Sequence, residues 1–355
     1  MTGGIFYNKK CYTWIALIFS VVFYSSIHLT SAETLRICDA RLEEISFGVE
    51  LKDIQRIIQS NGMLYFLEMG NHRIISVKEG EILDQIGRIG NGKGEFYYPK
   101  DFFIHKKTSY YVLDRGNKRI QIVDGTGRYI GGFPDISKSW GFSVNSRGDV
   151  LLGQPILNKL LSIYNPKGKR LHQFGELINP SDIYGLEYKQ YDENYQLPMN
   201  RVYLSVDEDD NVWVGFLYMP LILKYNKNGD LAIRKILNIP GLEPLKKAVW
   251  QNPPPTEYLS MNIDGIQLTL IIKDMAYNFD SSKLYVLLGD DRILVINSDG
   301  REECIIVPKI RRGSLDRIFI TGNGDLMVTF FSSPVCYKLV MSSETKEQIK
   351  KMVKE

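Results

Sequence analysis

Short apolar or alternating runs, bounded by turns rich in Gly, Asn and Asp, recur along the chain from residue 41 to residue 341. Alternation of this kind predicts half-buried strands. The runs also repeat in longer units. Residues 62–80 read GMLYFLEMGNHRIISVKEG and residues 109–127 read SYYVLDRGNKRIQIVDGTG. Each has a β-rich run, an acid (Glu68, Asp114), a turn glycine (Gly70, Gly116), Asn-x-Arg-Ile, an alternating strand and a second glycine turn. Weaker copies occupy residues 149–168, 211–229, 283–300 and 325–343. One further strand precedes each copy and another follows five of them, which predicts an all-β, six-bladed β-propeller with few helices.

The sixth copy lacks its last strand, because after Met341 the chain becomes SSETKEQIKKMVKE, a short helix or tail over residues 342–355. Residues 41–48, RLEEISFG, resemble the last strands of other blades, such as RLHQFG at 170–175, yet stand before the first blade. An N-terminal strand that completes the last blade would pair two otherwise exposed edges and close the ring. The expected organisation is therefore a propeller over residues 33–341, preceded by a targeting segment.

That segment covers residues 1–32. Lys9 and Lys10 precede an apolar run from Cys11 to Leu29, and Thr30-Ser31-Ala32 offers small residues before Glu33. This is the layout of a cleaved secretory signal peptide. The expected location is therefore secreted or periplasmic, with membrane association only if the segment is retained as an anchor.

Composition narrows the partners. With 44% hydrophobic and 24% charged residues the chain is an ordinary folding sequence. Its net charge of +3 falls to +1 once Lys9 and Lys10 leave, which argues against nucleic acid as a partner. Cys11 leaves with the signal; Cys38, Cys304 and Cys336 remain. Cys38 and Cys336 are expected near opposite faces, and a pairing of Cys38 with Cys304 stays open.

The Gly-Asn-x-Arg-Ile motif of the first two copies resembles the NHL-repeat family of six-bladed propellers, and the resemblance extends over most of residues 41–341. Within the motif the Arg is expected to pair with the acid of its own or a neighbouring blade. Peptidyl-hydroxyglycine lyases, on related propellers, hold a metal through channel histidines, but His72, His105 and His172 fall in a loop, at the far end of an inner strand and on an outer strand. Residues 274–288 are similar to gluconolactonase-like propellers, with Asp274 where that resemblance implies Asn. No Ser-His-Asp arrangement follows from spacing either. Binding therefore ranks above catalysis.

Two places could carry it. Spacings between copies are long on either side of the fourth, giving insertions at about residues 177–199 and 238–270. In a four-strand meander these inter-blade links share a face with the loops between second and third strands. Their aromatic residues, Tyr184, Tyr188, Tyr191, Tyr195 and Trp250, with Tyr218 in the loop between them, suit a protein, peptide or glycan partner. The second place is the channel mouth, where inner strands are expected to begin with Asp53, Asp101, Trp140, Arg201, Asp274 and Asp316. Four converging carboxylates, Asp53, Asp101, Asp274 and Asp316, could hold a hard cation such as calcium, and a metal-dependent lyase or hydrolase on those acids is the alternative function. No other cofactor is implied.

Overall fold

The computed structural model describes residues 35–48, 50–134, 139–184, 197–249, 260–263, 266–331 and 333–341. The expected signal segment, the tail 342–355, and Tyr188, Tyr191, Tyr195 and Trp250 lie outside the described residues.

A single strand, β1 (Arg36–Ile45), precedes six antiparallel groups. Blade one is β2 (Ile54–Ser60), β3 (Met63–Glu68), β4 (Arg73–Lys78) and β5 (Glu81–Ile86). Blade two is β6 (Pro99–His105), β7 (Ser109–Asp114), β8 (Arg119–Asp124) and β9 (Tyr129–Pro134). Blade three is β10 (Gly141–Val144), β11 (Val150–Ile156), β12 (Lys159–Tyr164) and β13 (Arg170–Glu176). Blade four is β14 (Val202–Val206), β15 (Val212–Phe216), β16 (Leu221–Tyr225) and β17 (Leu231–Ile236). A hairpin of β18 (Ser260–Ile263) and β19 (Ile266–Thr269) follows. Blade five is β20 (Ile272–Asn278), β21 (Lys283–Leu288), β22 (Ile293–Asn297) and β23 (Glu302–Pro308). Blade six is β24 (Leu315–Ile320), β25 (Leu326–Phe330) and β26 (Cys336–Met341).

The first strands β2, β6, β10, β14, β20 and β24 neighbour one another in a ring around a common axis. Blades packed on both sides explain the burial pattern. The middle strands β15 and β16 are buried at every position, whereas the outer β5 and β17 are largely exposed. A strand covered on both faces reads as a continuous apolar run, and one at the rim does not. Apolar clusters fill the spaces between blades, such as Leu67, Ile74, Phe96, Phe102 and Tyr110 between blades one and two.

The ring closes as expected and in one further way. Residues Ala40–Ile45 of β1 pair antiparallel with β26 and supply the missing strand of blade six. Residues Arg36–Ala40 pair in parallel with β23, the outer strand of blade five. One strand therefore joins blades five and six into an eight-stranded sheet. Cys38 is wholly buried in the joint and faces Ile306, while Cys304 lies two residues out of register opposite Arg36. Cys336 is buried at the start of β26, opposite Ile45. All three described cysteines are free thiols.

Outer hairpins share one device. In Asp124–Arg128, Asn165–Lys169, Asn226–Asp230 and Asn297–Arg301, the first side chain accepts hydrogen bonds from the amides two and four residues on. The fourth position is glycine at φ 80–91°, which a side chain would resist.

The Gly-Asn-x-Arg-Ile motif ties loops to links. In blade two, Asp114 is fully buried and accepts hydrogen bonds from the Tyr97 amide at 2.7 Å, Asn117 at 2.8 Å and Arg119 Nε at 2.8 Å. Arg119 also donates to the carbonyls of Asn91, Gly92 and Glu95 in the link from blade one. Glu68, Asn71 and Arg73 repeat the cluster in blade one. The glycine is required because a Cβ on Gly116 would lie 2.4 Å from the Tyr97 carbonyl. The x residues, His72 and Lys118, sit at φ 55° and 53°. Blade five retains this path in Gly289-Asp-Asp-Arg-Ile293, with Asp291 at φ 69° and Arg292 donating to the Pro240 carbonyl at 2.5 Å.

Two outcomes are expected. Deleting residues 36–45 exposes the edges of both β23 and β26, and should abolish the cooperative melting transition followed by circular dichroism. Arg119→Met leaves the Asp114 carboxylate buried without its cation and should lower stability in urea titrations by about 3 kcal/mol. Adding Asp114→Asn should recover part of that loss.

Candidate functional site

Two openings lie on the axis. Following the chain, each inner strand starts at the face that carries the inter-blade links and ends at the face of the first-to-second-strand turns. The latter face opens into a cavity of about 510 Å³ lined by residues from all six inner strands, among them Gln59, His105, Ser143, Ser205, Tyr277 and Ile320. At the link face the axis narrows to a cavity of about 30 Å³, room for about one water.

The narrowing is one layer of equivalent residues. Arg56 pairs with Leu67, Asp101 with Leu113, Gly141 with Gly153, Tyr203 with Gly215, Asp274 with Leu287 and Arg317 with Thr329, at matching positions of the six inner hairpins. In blades one, two, five and six a register shift precedes this position. The extra residues are Gln55, Lys100, Lys273 and Asp316. A bulge re-aims the side chains beside it: Gln55-Arg56 and Lys100-Asp101 both line the constriction, whereas Lys273 turns aside to Asp291 and Ser314.

The charges interleave. Arg56 Nε lies 3.6 Å from Asp101, and the Arg317 guanidinium lies 3.9 Å from both Asp274 and Asp316. Arg317 also donates to Tyr203 at 3.3 Å and Gln55 at 3.2 Å, and Lys100 Nζ donates to Gln55 at 2.8 Å. Asp101 accepts the Phe102 amide and Asp274 the Ile318 amide. Burial pushes Asp274 up to about 6, partly offset by Arg317 and Arg56. Burial raises Asp101 in the same way against Arg56. Lys100 is pushed down to about 7 by burial, with the Arg317 charge adding to it.

The four-carboxylate site therefore needs correction. Asp101 and Asp274 line the constriction, but guanidinium groups occupy the places beside them. Asp53 lies one residue before β2 at φ 53°, accepting from Gln55, and Asp316 is not among the lining residues. The equivalent of Lys100-Asp101 in blade one is Gln55-Arg56, three residues beyond Lys52-Asp53. Aligning the strands on Ile57, Phe102, Met275 and Ile318, all buried, exposes the shift and Arg56, which the sequence reading missed. Among the described residues, no three His, Cys, Asp or Glu side chains are grouped to hold a metal ion. His72, His105 and His172 stand in a loop, at the end of β6 and on β13.

At the edge of the constriction, which Trp140 lines, Trp140 and Arg201 do meet. Trp140 has the Arg115 guanidinium 4.6 Å and the Arg201 guanidinium 4.9 Å from its ring centre. Next along the rim, Tyr97 and Tyr98 are 41% and 50% exposed and pack on each other and on His72, whose Nδ1 accepts the Tyr98 amide.

The insertions are partly structured. A clamp between the Asn200 side chain and both backbone groups of Ile178 pins the base of the first. The second holds a short helix, Glu243–Ala248, and the β18–β19 hairpin, with Leu245, Val249 and Leu268 buried. Tyr184 donates to the Tyr218 carbonyl at 2.5 Å. Tyr218 itself is wholly buried with its hydroxyl unpaired among the described residues, so its expected surface role is corrected. The entire Leu217–Pro220 loop is buried, in a stretch flanked by both insertions.

Known proteins bear on the fold. A family profile described as a 6-bladed beta-propeller matches residues 46–131, which are blades one and two with their approach. No curated protein matches the chain. A protein of Bacteroides fragilis NCTC 9343, provisionally described as exported, superposes with a TM-score of 0.54 at 11% identity, covering 86% of this chain and 100% of its own. A streptogramin B lyase gives 0.51 at 14% identity, covering 85% and 97%. The WD40 beta propeller domain of Doa1 gives 0.50 at 12% identity, covering 82% and 80%. Identities this low carry the propeller fold alone.

The constriction has a titration signature. Asp274 takes up its proton near pH 6 in the folded state and near 3.8 when unfolded, so its charge opposes folding as pH rises through 6. Asp274→Asn is therefore expected to match the native protein's stability at pH 4 and exceed it at pH 8, by on the order of 1–3 kcal/mol. Urea titrations at the two pH values check this. Lower stability of the variant at pH 8 would mean that the pairing with Arg317 outweighs burial.

Proposed function

We propose that this protein is an exported binding scaffold that recognises a protein or peptide partner through the link-bearing face of its propeller. One observation carries the reading. Exposed Tyr97 and Tyr98 adjoin the Arg115–Trp140–Arg201 stack, on the face from which both insertions emerge. Tyr, Trp and Arg are the residues most enriched in the energetic centres of interfaces. Ile89 and Phe331, 62% and 60% exposed, lie on links and loops of the same face. Export rests on Lys9, Lys10 and the apolar run after them, and kinship with NHL-repeat propellers rests on the Gly-Asn-x-Arg-Ile motif. A metal-dependent lyase or hydrolase draws less support, because Asp101 and Asp274 face arginines.

The test is capture of partners from the protein's own compartment by the immobilised full chain. The double variant Tyr97→Ala, Tyr98→Ala should reduce recovery of a specific partner at least tenfold. Phe279→Ala, an exposed residue at the opposite opening, should leave it unchanged. The reverse pattern would move the binding function to the 510 Å³ cavity.

A further inference from the structure

Partly buried arginines in this protein keep company with acids. Arg56 lies by Asp101, Arg73 by Glu68, Arg119 by Asp114, Arg292 by Asp290 and Arg317 by Asp274. Arg115 departs from the pattern. Its NH1 donates to the Ser139 carbonyl at 2.6 Å and its plane lies over Trp140, but among the described residues no carboxylate pairs with it. Lys100, one blade position inward, likewise has the Gln55 amide oxygen at 2.8 Å in place of an acid. Arg201 lies over the same indole as Arg115, and burial followed by the Arg201 charge lowers the pKa of Arg115. Burial first, then the charges of Arg317 and, less, Arg115 lower the pKa of Lys100, against Asp316 and Asp53. A short run of like charge thus forms at the link-face mouth from Lys100 and Arg115, whose hydrogen-bond partners are neutral oxygens. Holding such charges together away from water is costly unless an anion joins them.

The surroundings specify the anion. Arg115 continues directly from Asp114, and the Gly116 amide donates to the Tyr97 carbonyl at 2.8 Å, so the exposed tyrosines border the cationic run. Behind the run the axis holds only about 30 Å³, which admits no threaded chain. The bound group is therefore an end. The exposed rings of Tyr97 and Tyr98 offer apolar surface for the side chains that precede such an end.

We propose that the link-face mouth binds the C-terminal carboxylate of a partner peptide, with Arg115 as its planar two-pronged donor, Lys100 as the second charge, and the preceding apolar side chains on Tyr97 and Tyr98. This rests on the link face being the binding face. A guanidinium matches a carboxylate through two parallel hydrogen bonds, which an ammonium cannot do.

The experiment is calorimetric titration of the full chain with a pool of N-acetylated apolar tripeptides bearing free C-termini, and with the same pool as C-terminal amides. The acids should bind at least tenfold more tightly than the amides. Arg115→Met should remove that preference, Arg115→Lys should retain only part of it, and Arg88→Met, which alters an exposed arginine already paired with Glu95, should change nothing. Melting curves of each variant establish that it is folded. Equal binding of acids and amides, no binding of either, or an unchanged preference in a folded Arg115→Met protein overturns the proposal. Binding of glucuronate-terminated oligosaccharides in place of the peptides also overturns it, in favour of a glycan. If partner capture depends on Tyr97 and Tyr98 but not on Arg115, this inference alone falls; if capture ignores the tyrosines, the reading of the face falls with it.

Discussion

Ring closure depends on one strand satisfying two edges. A blade of three strands leaves the far side of β26 unpaired, and the outer strand of any blade leaves a row of free amides and carbonyls. β1 meets the first need with Ala40–Ile45 and, in blade five, the second with Arg36–Ala40. The strand is made first and its partners nearly last, so every other blade can form before the circle is complete. Contacts that span most of the chain are slow to form, because closing a long loop costs entropy before any pairing offsets it.

Around that closure, the blades are held together less by repeated sequence than by repeated tasks. The buried acid of blades one and two gathers a loop asparagine, a strand arginine and a link amide into one cluster. Blade five loses the acid at the strand end and places two in the loop instead. There Asp290 holds Arg292, and Asp291 accepts from Ser314 and the Leu315 amide of the next blade. The glycine and the left-handed residue survive because the backbone path requires them, whereas the charges can move.

Much of the architecture was legible because a propeller writes its period into the chain. The six copies, the orphan strand at 41–48 and the two long links all follow from counting apolar runs and turns. The parallel half of β1 was not legible, since the composition of a strand does not say which edge it meets. The channel reading failed at Asp53 because the first copy carries its Lys-Asp pair three residues ahead of the second's, before a bulge that both strands share, so the similar-looking pairs fell at different heights on the axis. Arg56 was hidden by the same offset. Tyr218 looked like a surface aromatic because sequence gives no sign that a loop of Leu217–Pro220 will be covered. The Arg115–Trp140–Arg201 stack was hidden because its residues come from three separate segments, and only the fold makes them neighbours.

The layer of Arg56, Asp101, Tyr203, Asp274 and Arg317 acts as a partition. With room for about one water at its level, the layer is a floor beneath the 510 Å³ cavity. Arg56 borders both spaces, so a solute in the larger one meets its guanidinium at the floor.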